Sequence, residues 1–592
     1  MKTIALISGG KDSLLSVLLA MRYGHTPVVL ANICPTCNEG PEHVHEIDSY
    51  SFQTVGHEAV ESIAVCMELP LRRAYIRAGQ SKVQGLHYTK ERDEEDEVET
   101  LYRLLRTVKE EFPEVEGVTT GAILSHYQRY RVEDVCDRLG LHSLAFLWQR
   151  PAEEVLDIAA ALQLHAILVK TASIGLDPRI HVGLSLEAVR PALEKAQRLY
   201  GTHSAGEGGE FETIVLDCPL FREQCLEIAS LERVIVDDND YSPSGYARLK
   251  VRRRNKTMEE KNSSKELLRR LPSLTFPSDS MRYLPHVDQF LKECAETLEW
   301  RTSPTPCSSD TEFWGCNCCD VYESDACQRE DEMESCVTRV FRRIVEDMLG
   351  KKREAFFFLV LAPSLQSFEI VSEALARCFP YLQAPGCAFA EASELGRFRV
   401  EVLSSLREGI QRGTLQVGSS SCCGPVSVGS QSFANRVNLD AERRVIVSGC
   451  IGLVPVARRL AVSEDMPELL SMSLSRLSHS VGLEEGAVRA FIVQFAFTYA
   501  NSVLGLTHFG GEATFATHAT FFLSEMQFAS LVPSLWRWCT GDATRLLPWG
   551  DPHVRGAAGG VVCRILHATQ LPSSAAVELV LERREPLLEE AW

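Results

Sequence analysis

The 592-residue sequence has no surplus of positive charge: 61 lysines and arginines stand against 80 aspartates and glutamates, a formal net charge of −19. Binding to a phosphate backbone needs a concentrated excess of Lys and Arg, so non-specific nucleic-acid association is not expected and any polyanion site must be local. No run of about 18 apolar residues is present, which removes a membrane span and a membrane partner from the expectation. The opening MKTIALISGGKDS begins like a secretory leader, but Lys11 and Asp12 interrupt a short apolar stretch that carries no small-residue cleavage pattern. A cytosolic location is expected. Cysteine is not scarce, at 20 residues, yet the thiols are scattered through a long chain, so free thiols are expected instead of a disulfide framework. With 45% hydrophobic, 24% charged and 8% aromatic residues the chain has the composition of globular protein. At this length one hydrophobic core does not suffice, and about three to four domains are expected.

From residue 3 to about residue 220 short apolar runs alternate with amphipathic stretches, the pattern of βαβ units around a parallel sheet. Strands are expected at residues 3–7, 27–32, 72–76, 117–121 and 165–170. Val98, Leu101, Tyr102, Leu105 and Val108 fall at helical spacing, which predicts an amphipathic helix over residues 96–108. After Val251 the basic run Arg252-Arg253-Arg254-Asn255-Lys256 gives way to polar residues and then to Pro272 and Pro277, which reads as a linker over residues 241–280. Behind it, residues 281–410 and 420–592 each mix strands with amphipathic helices, the pattern of two α+β domains. Residues 302–336, rich in Ser, Asp, Glu and Cys, read as a long exposed insertion.

The strongest chemical signal is Ser8-Gly9-Gly10-Lys11-Asp12-Ser13, between the first apolar strand and a helical run. Two glycines let backbone amides turn toward a ligand, and the following helix start supplies unpaired N–H groups and a positive dipole end. Ser8 and Ser13 offer hydroxyls, Lys11 a point charge, and Asp12 a carboxylate for a Mg2+ bridging phosphate oxygens. The spacing is not that of the Walker loop. The alternative is a glycine-rich turn without a ligand.

These six residues resemble the loop of the ATP pyrophosphatase superfamily, which splits ATP into AMP and pyrophosphate. The resemblance narrows along residues 1–220. Gly121-Ala122-Ile123-Leu124-Ser125-His126-Tyr127-Gln128-Arg129 with Arg131-Val132-Glu133, Glu46-Ile47-Asp48-Ser49-Tyr50 through Gln53-Thr54-Val55-Gly56-His57, and Asp96-Glu97-Val98-Glu99 are similar to segments of diphthine–ammonia ligases. So are Leu147-Trp148-Gln149-Arg150, Lys170 with Gly175-Leu176-Asp177-Pro178, and Gly206-Glu207-Gly208-Gly209-Glu210-Phe211-Glu212-Thr213. The resemblance implies an α/β fold whose N-terminal domain, residues 1–240, is a doubly wound parallel-sheet nucleotide domain of PP-loop, HUP-like type. It implies ATP and Mg2+ as cofactors, and transfer of AMP to the carboxylate of diphthine on elongation factor 2. Ammonia then displaces AMP to form diphthamide. No glutaminase-type module is apparent, so ammonium is the implied nitrogen donor, and no direct nucleic-acid partner is implied. Nucleotide contacts are implied for Ser8, Gly9, Gly10, Lys11, Asp12, Ser13, Tyr127, Gln128, Arg129 and Lys170. Catalytic roles are implied for Lys11, Asp12, Glu207 and Glu210, and a metal-ligand role for Asp12.

Read from the residues alone, these segments keep alternatives open. Tyr127, Gln128 and Arg129 follow a strand end, where open α/β sheets place ligands, or Tyr127 and Arg131 cap and pack a helix. The glycine-spaced Glu207 and Glu210 suit a cation, an ammonium ion or its proton, or form a solvated acidic turn.

In the rear half, Val445-Ile446-Val447-Ser448-Gly449-Cys450-Ile451-Gly452-Leu453-Val454-Pro455, with Leu571-Pro572 and Ala576-Val577-Glu578, resembles the YjgF/RidA deaminase fold over residues 420–592, and residues 281–410 resemble a divergent copy. That family relies on an arginine near its Leu-Pro turn. Here Cys563 stands at the expected place with Arg564 beside it, so an assembly or docking role is favoured over deamination. Cys34 and Cys37 with His43 and His45 have the residue types of a zinc site; an exposed loop is the alternative. Two other functions fit the loop: a tRNA-thiolating pyrophosphatase using Cys34 and Cys37 as sulfur carriers, and a non-catalytic ATP sensor.

Overall fold

A strand without polar alternation needs cover on both faces. Ile4, Ala5, Val29, Leu30, Ala31 and Val118 are all fully buried. They sit in strands β1 (Lys2–Leu6), β2 (Thr26–Pro35) and β4 (Val115–Thr119), which join β3 (Leu71–Ile76) and β5 (His142–Leu144) in a parallel sheet of order β5-β4-β1-β2-β3. The two-residue strand Ser419–Ser420 extends the β5 edge. Helix α1 (Lys11–Arg22) lies against β1, β2 and β4, and α2 (Val60–Met67) follows β2. Helices α3 (Glu97–Glu111) and α4 (His126–Leu139) pack on Ile4, Val29, Ala31, Ile33 and Val118 through Val98, Leu101, Leu105, Val132 and Val135. The sheet is doubly wound, as expected. Side-chain caps start both of these helices: Asp96 accepts from Val98 N, and Ser125 from Gln128 N.

The computed structural model describes residues 1–35, 49, 52–53, 55–77, 79–83, 88, 92–271, 319–326, 330–364, 367–379, 385–393, 396–406, 412–415, 419–420, 433–438, 442–451, 453–454, 459–466, 469, 473–508, 516–540, 545–548, 560–572 and 575–586. The chain divides into two units, Met1–Leu274 with Gly418–Cys423, and Thr275–Val417 with Gly424–Trp592.

Two expectations for the first unit are corrected. The strand expected at residues 165–170, β6 (His165–Thr171), is not in the parallel sheet. It pairs antiparallel with β7 (Phe211–Asp217) and β9 (Ser244–Asn255), in a second sheet of order β7-β6-β9-β8 with β8 (Gln224–Asp237). An apolar run fixes that a strand forms, not which neighbour it takes. Helices α5 (Ala152–Ala161), α6 (Pro178–His181) and α7 (Leu186–Tyr200) flank β6 in sequence. The stretch expected as a linker over residues 241–280 is regular as far as residue 269: the basic run completes β9, and α8 (Met258–Arg269) follows behind a Thr257/Glu260 capping box. Carboxylates on neighbouring elements neutralise the run, with Arg252–Glu227 at 3.0 Å, Arg254–Glu260 at 2.7 Å, and Lys256 buried against Asp217 at 2.7 Å.

In the second unit, β10 (Cys319–Ala326), β11 (Arg353–Ala362), β12 (Gly386–Glu391) and β13 (Arg397–Leu406) form a sheet of order β10-β13-β11-β12. Its outer face packs on α9 (Glu330–Gly350) and α10 (Ser367–Cys378) through Phe358, Val360, Phe398 and Val400. A seven-stranded sheet, β14-β16-β17-β23-β20-β22-β21, runs through β14 (Arg412–Leu415), β16 (Ala434–Asn438), β17 (Glu442–Ile451), β20 (His518–Leu523), β21 (Arg545–Pro548), β22 (Gly560–His567) and β23 (Val577–Pro586). In chain order β15 is Ser419–Ser420, and β18 (Leu453–Val454) pairs with β19 (Arg459–Leu460). Helices α11 (Ser475–Val481), α12 (Glu485–His508) and α13 (Val532–Thr540) cover its outer face. The inner faces of the two sheets meet through Phe357, Leu359, Ala388, Ile446, Phe522 and Val580. The unit is thus a helix–sheet–sheet–helix sandwich of two α+β halves. Residues 319–326 and 330–336, expected within an exposed insertion, instead supply β10 and the start of α9, with Tyr322, Met333 and Cys336 buried; residues 302–318 and 327–329 lie outside the described residues. Among the described residues one helical stretch, Glu485–Leu506, is long and apolar enough to cross a membrane; 61% of its apolar window is buried inside the protein. Every described cysteine is a free thiol.

Candidate functional site

Strand order in the parallel sheet reverses between β1 and β4, and open α/β sheets hold ligands in the crevice beyond the strand ends at such a point. The connections leaving those two strands are residues 7–10 and 120–125. They touch: a Cβ on Gly121 would meet the Asp12 carbonyl carbon at 2.8 Å and Ser13 N at 2.9 Å, so only glycine lets the β4 connection lie on the head of α1. Ser16 Oγ donates to Thr120 O at 2.7 Å and ties the two again.

The loop after β1 is held from all sides. Gly9 has φ +88, a left-handed conformation that favours glycine. Ser8 Oγ accepts from Gly10 N at 3.2 Å, and Ser13 Oγ donates to Gly10 O at 2.9 Å. From β7, Thr213 Oγ1 accepts from Lys11 N at 3.0 Å and Val215 N donates to Gly9 O at 2.9 Å. Gln53 Nε2 donates to Thr213 O at 3.0 Å, and Asn32 Nδ2 to Ile7 O at 2.9 Å.

Lys11 is 2% exposed. A buried ammonium needs partners, and its Nζ bonds Asp12 Oδ2 at 2.7 Å and the Ala205 carbonyl, with the Phe211 ring centroid 5.2 Å away. Among the described residues, Asp12 Oδ1 is buried with no hydrogen-bond partner. A carboxylate oxygen left unmade beside a phosphate-type loop fits a hard cation that takes oxygen ligands. Among the described residues no group of three or more His, Cys, Asp or Glu could hold a metal ion.

Residues 202–211 form a strap over this loop. Glu207 Oε1 accepts three successive backbone N–H groups at the head of α4: Ile123 at 2.9 Å, Leu124 at 2.8 Å and Ser125 at 2.8 Å. Burial raises the Glu207 carboxyl above its ordinary range and the amides of Ser125, Leu124 and Ile123 oppose that, with the nearby Asp12 adding to the rise. Glu210 turns inward as well, Oε1 accepting from His203 N at 2.8 Å and Oε2 from Gly208 N at 2.7 Å. His203 Nδ1 accepts from Glu207 N at 3.3 Å, and burial lowers the His203 pKa.

Of the residues singled out from sequence, the structure brings together Ser8, Gly9, Gly10, Lys11, Asp12, Ser13, Glu207 and Glu210. The others make these contacts within the protein. Tyr127 donates its hydroxyl to Val83 O at 2.9 Å beneath the Arg131 guanidinium. Gln128 is half-buried, its backbone N–H capped by Ser125. Arg129, 2% exposed, lies over the Trp148 ring at 4.4 Å and pairs with Glu133 at 3.3 Å. Lys170 pairs with Glu212 at 3.4 Å on the β6–β7 ladder. Asp96 caps α3, and Glu99 binds Arg138 through both oxygens at 2.8 Å. Cys34 is buried at the end of β2, and Cys37, His43 and His45 lie outside the described residues. Cys563 faces the helix-side core of the seven-stranded sheet, with Arg564 beside it on β22. Sequence reasoning did not single out Gln53, Thr213 or Ala205 as site residues, although Gln53 and Thr213 stand within quoted segments; Ala205 has a backbone role that leaves no side-chain signal.

A family model described as diphthamide synthase N-terminal domain matches residues 1–143, and one described as diphthamide synthase C-terminal domain matches residues 152–249. A diphthine–ammonia ligase of Rattus norvegicus is 48% identical over 249 residues, covering 42% of this chain and 91% of its own length. One from Saccharomyces cerevisiae is 32% identical over 522 residues, covering 82% of this chain and 74% of its own. A solved Rid-family protein of unknown function from Yersinia pestis aligns with 29% of this chain and 98% of its own, at 14% identity and a TM-score of 0.19, a likeness too low to bear on activity.

Proposed function

The chain belongs to the diphthine–ammonia ligase family, and on that premise we propose that it uses ATP to join ammonium to the diphthine carboxylate of elongation factor 2, in the cytoplasm, releasing AMP and pyrophosphate. A carboxylate is a poor electrophile. Transfer of AMP to it gives an acyl-adenylate whose phosphate is a good leaving group; ammonia adds to the acyl carbon, the C–O bond to AMP breaks, and the surplus proton passes to solvent.

The single observation that carries this reading is the loop at the switch point, where Lys11 pairs with Asp12 at the head of α1 and, among the described residues, the other Asp12 oxygen has no hydrogen-bond partner. In it Lys11 and the loop amides stabilise charge developing on pyrophosphate, and Thr213 and Gln53 keep the loop in shape. Asp12 would hold Mg2+, which supplies charge neutralisation on the phosphate oxygens when bound. The test is release of AMP and pyrophosphate by the full chain given ATP, ammonium and diphthine-bearing elongation factor 2. Lys11→Ala combined with Asp12→Ala is expected to abolish release by at least about a thousandfold, as for removal of preorganised charge; a double variant as active as the parent refutes the assignment.

A further inference from the structure

We propose that Glu207 is a positioning residue for the nucleotide step: acting through the strap backbone, it holds the Ala205 carbonyl on the Lys11 ammonium. This rests on the ligase reading above. Three backbone amides share one carboxylate oxygen of Glu207, each within 2.9 Å. They sit at the positive end of α4, where a carboxylate is held by hydrogen bonds and dipole together. Withdrawing Oε1 would strand all three amides. The strap is anchored again at its far end, where Glu210 closes on His203 N and Gly208 N and Ala172 N donates to Glu210 O at 2.9 Å.

Between the anchors lies Ala205, fully buried, whose carbonyl accepts from Lys11 Nζ. Gly206 separates the two contacts with φ +79, and a Cβ there would meet the Phe211 ring at 2.9 Å. The chain therefore turns at Gly206 so that one carbonyl points to the head of α1 and the next side chain to the head of α4. Lys11 has little freedom of its own, buried against Phe211 and paired with Asp12. Where the strap sits decides where the Lys11 charge sits.

The experiment measures ATP affinity of the full chain by calorimetry, in the presence of Mg2+, for the parent, Glu207→Ala, Lys11→Ala and the double variant, and follows amidation kinetics for Glu207→Ala and Glu207→Gln. Glu207→Ala is expected to weaken ATP binding about tenfold with the KM for ammonium unchanged, a loss on the scale of one charge-assisted bond. Glu207→Gln keeps an acceptor oxygen for the three amides and should recover activity to within about threefold of the parent. In the Lys11→Ala background, adding Glu207→Ala should cost no further affinity, because the effect runs through Lys11. A Gln variant as inactive as the Ala variant overturns the proposal in favour of proton transfer or metal ligation, and additive losses overturn it in favour of a general structural role. If Glu207→Ala does not fold, Glu207→Asp, too short to span the same gap, takes its place in the cycle. A parent chain that binds ATP but forms no amide sinks the ligase reading alone, since the binding cycle still decides Glu207; a parent that binds no ATP sinks both.

Discussion

Glu578→Gln should stabilise the second unit by an amount that grows with pH. Glu578, on β23, is 2% exposed and reaches across to the other sheet, where Oε1 accepts from Phe389 N at 3.4 Å; Oε2 is buried with no hydrogen-bond partner among the described residues. The site is closed to any larger neighbour, since a Cβ on Gly449 would overlap the carboxyl. Burial pushes the carboxyl up from the ordinary 4.5 to about 8, with the Phe389 amide pulling slightly the other way. The folded chain therefore binds a proton that the unfolded chain releases. For a pKa raised on folding, the contribution to stability is complete below 4.5 and is lost as pH rises to about 8. At 1.36 kcal/mol per pH unit, the loss is about 3 kcal/mol at pH 7 and levels off at about 5 kcal/mol near pH 9. Gln keeps the acceptor for Phe389 and has no proton to lose. The assay is urea-dependent hydrogen exchange of peptides from β12 and β23 between pH 5.5 and 9, in both chains. The constant cost of the amide appears as an offset, so the quantity that decides is the slope: stability of the parent minus that of the variant should fall with pH. Parallel curves would show that Glu578 is already ionised in the folded chain, and the reasoning from burial would be refuted.

Gly121→Ala should lower ATP affinity about tenfold and destabilise the first unit by about 2 kcal/mol, the usual cost of forcing an extra methyl into packed backbone, because its Cβ meets Asp12 and Ser13 backbone; calorimetry and thermal unfolding read the two effects, and a chain unchanged in both would show that the two connections do not pack. Arg138→Ala should cost about 1 kcal/mol at neutral pH, the upper end for a partly exposed pair, since Arg138 binds both oxygens of Glu99 while Tyr88 and Arg92 stay beside that carboxylate. Burial pushes the Glu99 carboxyl up, but the Arg138 bonds outweigh it and hold it below the ordinary range. The stability so gained is present above the ordinary carboxyl pKa and is lost as pH falls through the depressed value. The deficit of the variant should therefore shrink in acid, and a deficit constant from pH 7 to pH 3 would refute the pairing.

Local features were legible in the sequence and non-local ones were not. Ser8 to Ser13 could be read as one unit because a strand end, two glycines and a helix start are contiguous. The helix expected over residues 96–108 is there, capped by Asp96, because its period is local. By contrast Lys11 N meets Thr213 across 202 residues and Lys11 Nζ meets Ala205 across 194, and no pattern of period two or 3.6 records such pairs. The same limit misplaced β6, whose antiparallel partner β7 follows two helices and the strap. Polarity alone did not place the basic run: Arg252, Arg254 and Lys256 read as solvated linker but pair with Glu227, Glu260 and Asp217.

The electrostatics of the loop bear on why Asp12 stands next to Lys11. An ammonium at 2% exposure must be balanced within the protein, and Asp12 and the Ala205 carbonyl do this in the free chain. A nucleotide brings phosphate oxygens of the same sign as Asp12 to the same place. If Lys11 were the only positive group, those oxygens would compete with Asp12 for it, and the repulsion between them would grow as water left the crevice. Asp12, through the oxygen Lys11 does not bond, would hold a divalent cation that would offset this repulsion, and Lys11 could then address phosphate with its carboxylate still paired. On the ATP reading, then, the Lys11–Asp12 pair is a single device with one half for phosphate and one half for the cation that accompanies it. That is why replacing either residue alone should impair nucleotide and Mg2+ dependence together.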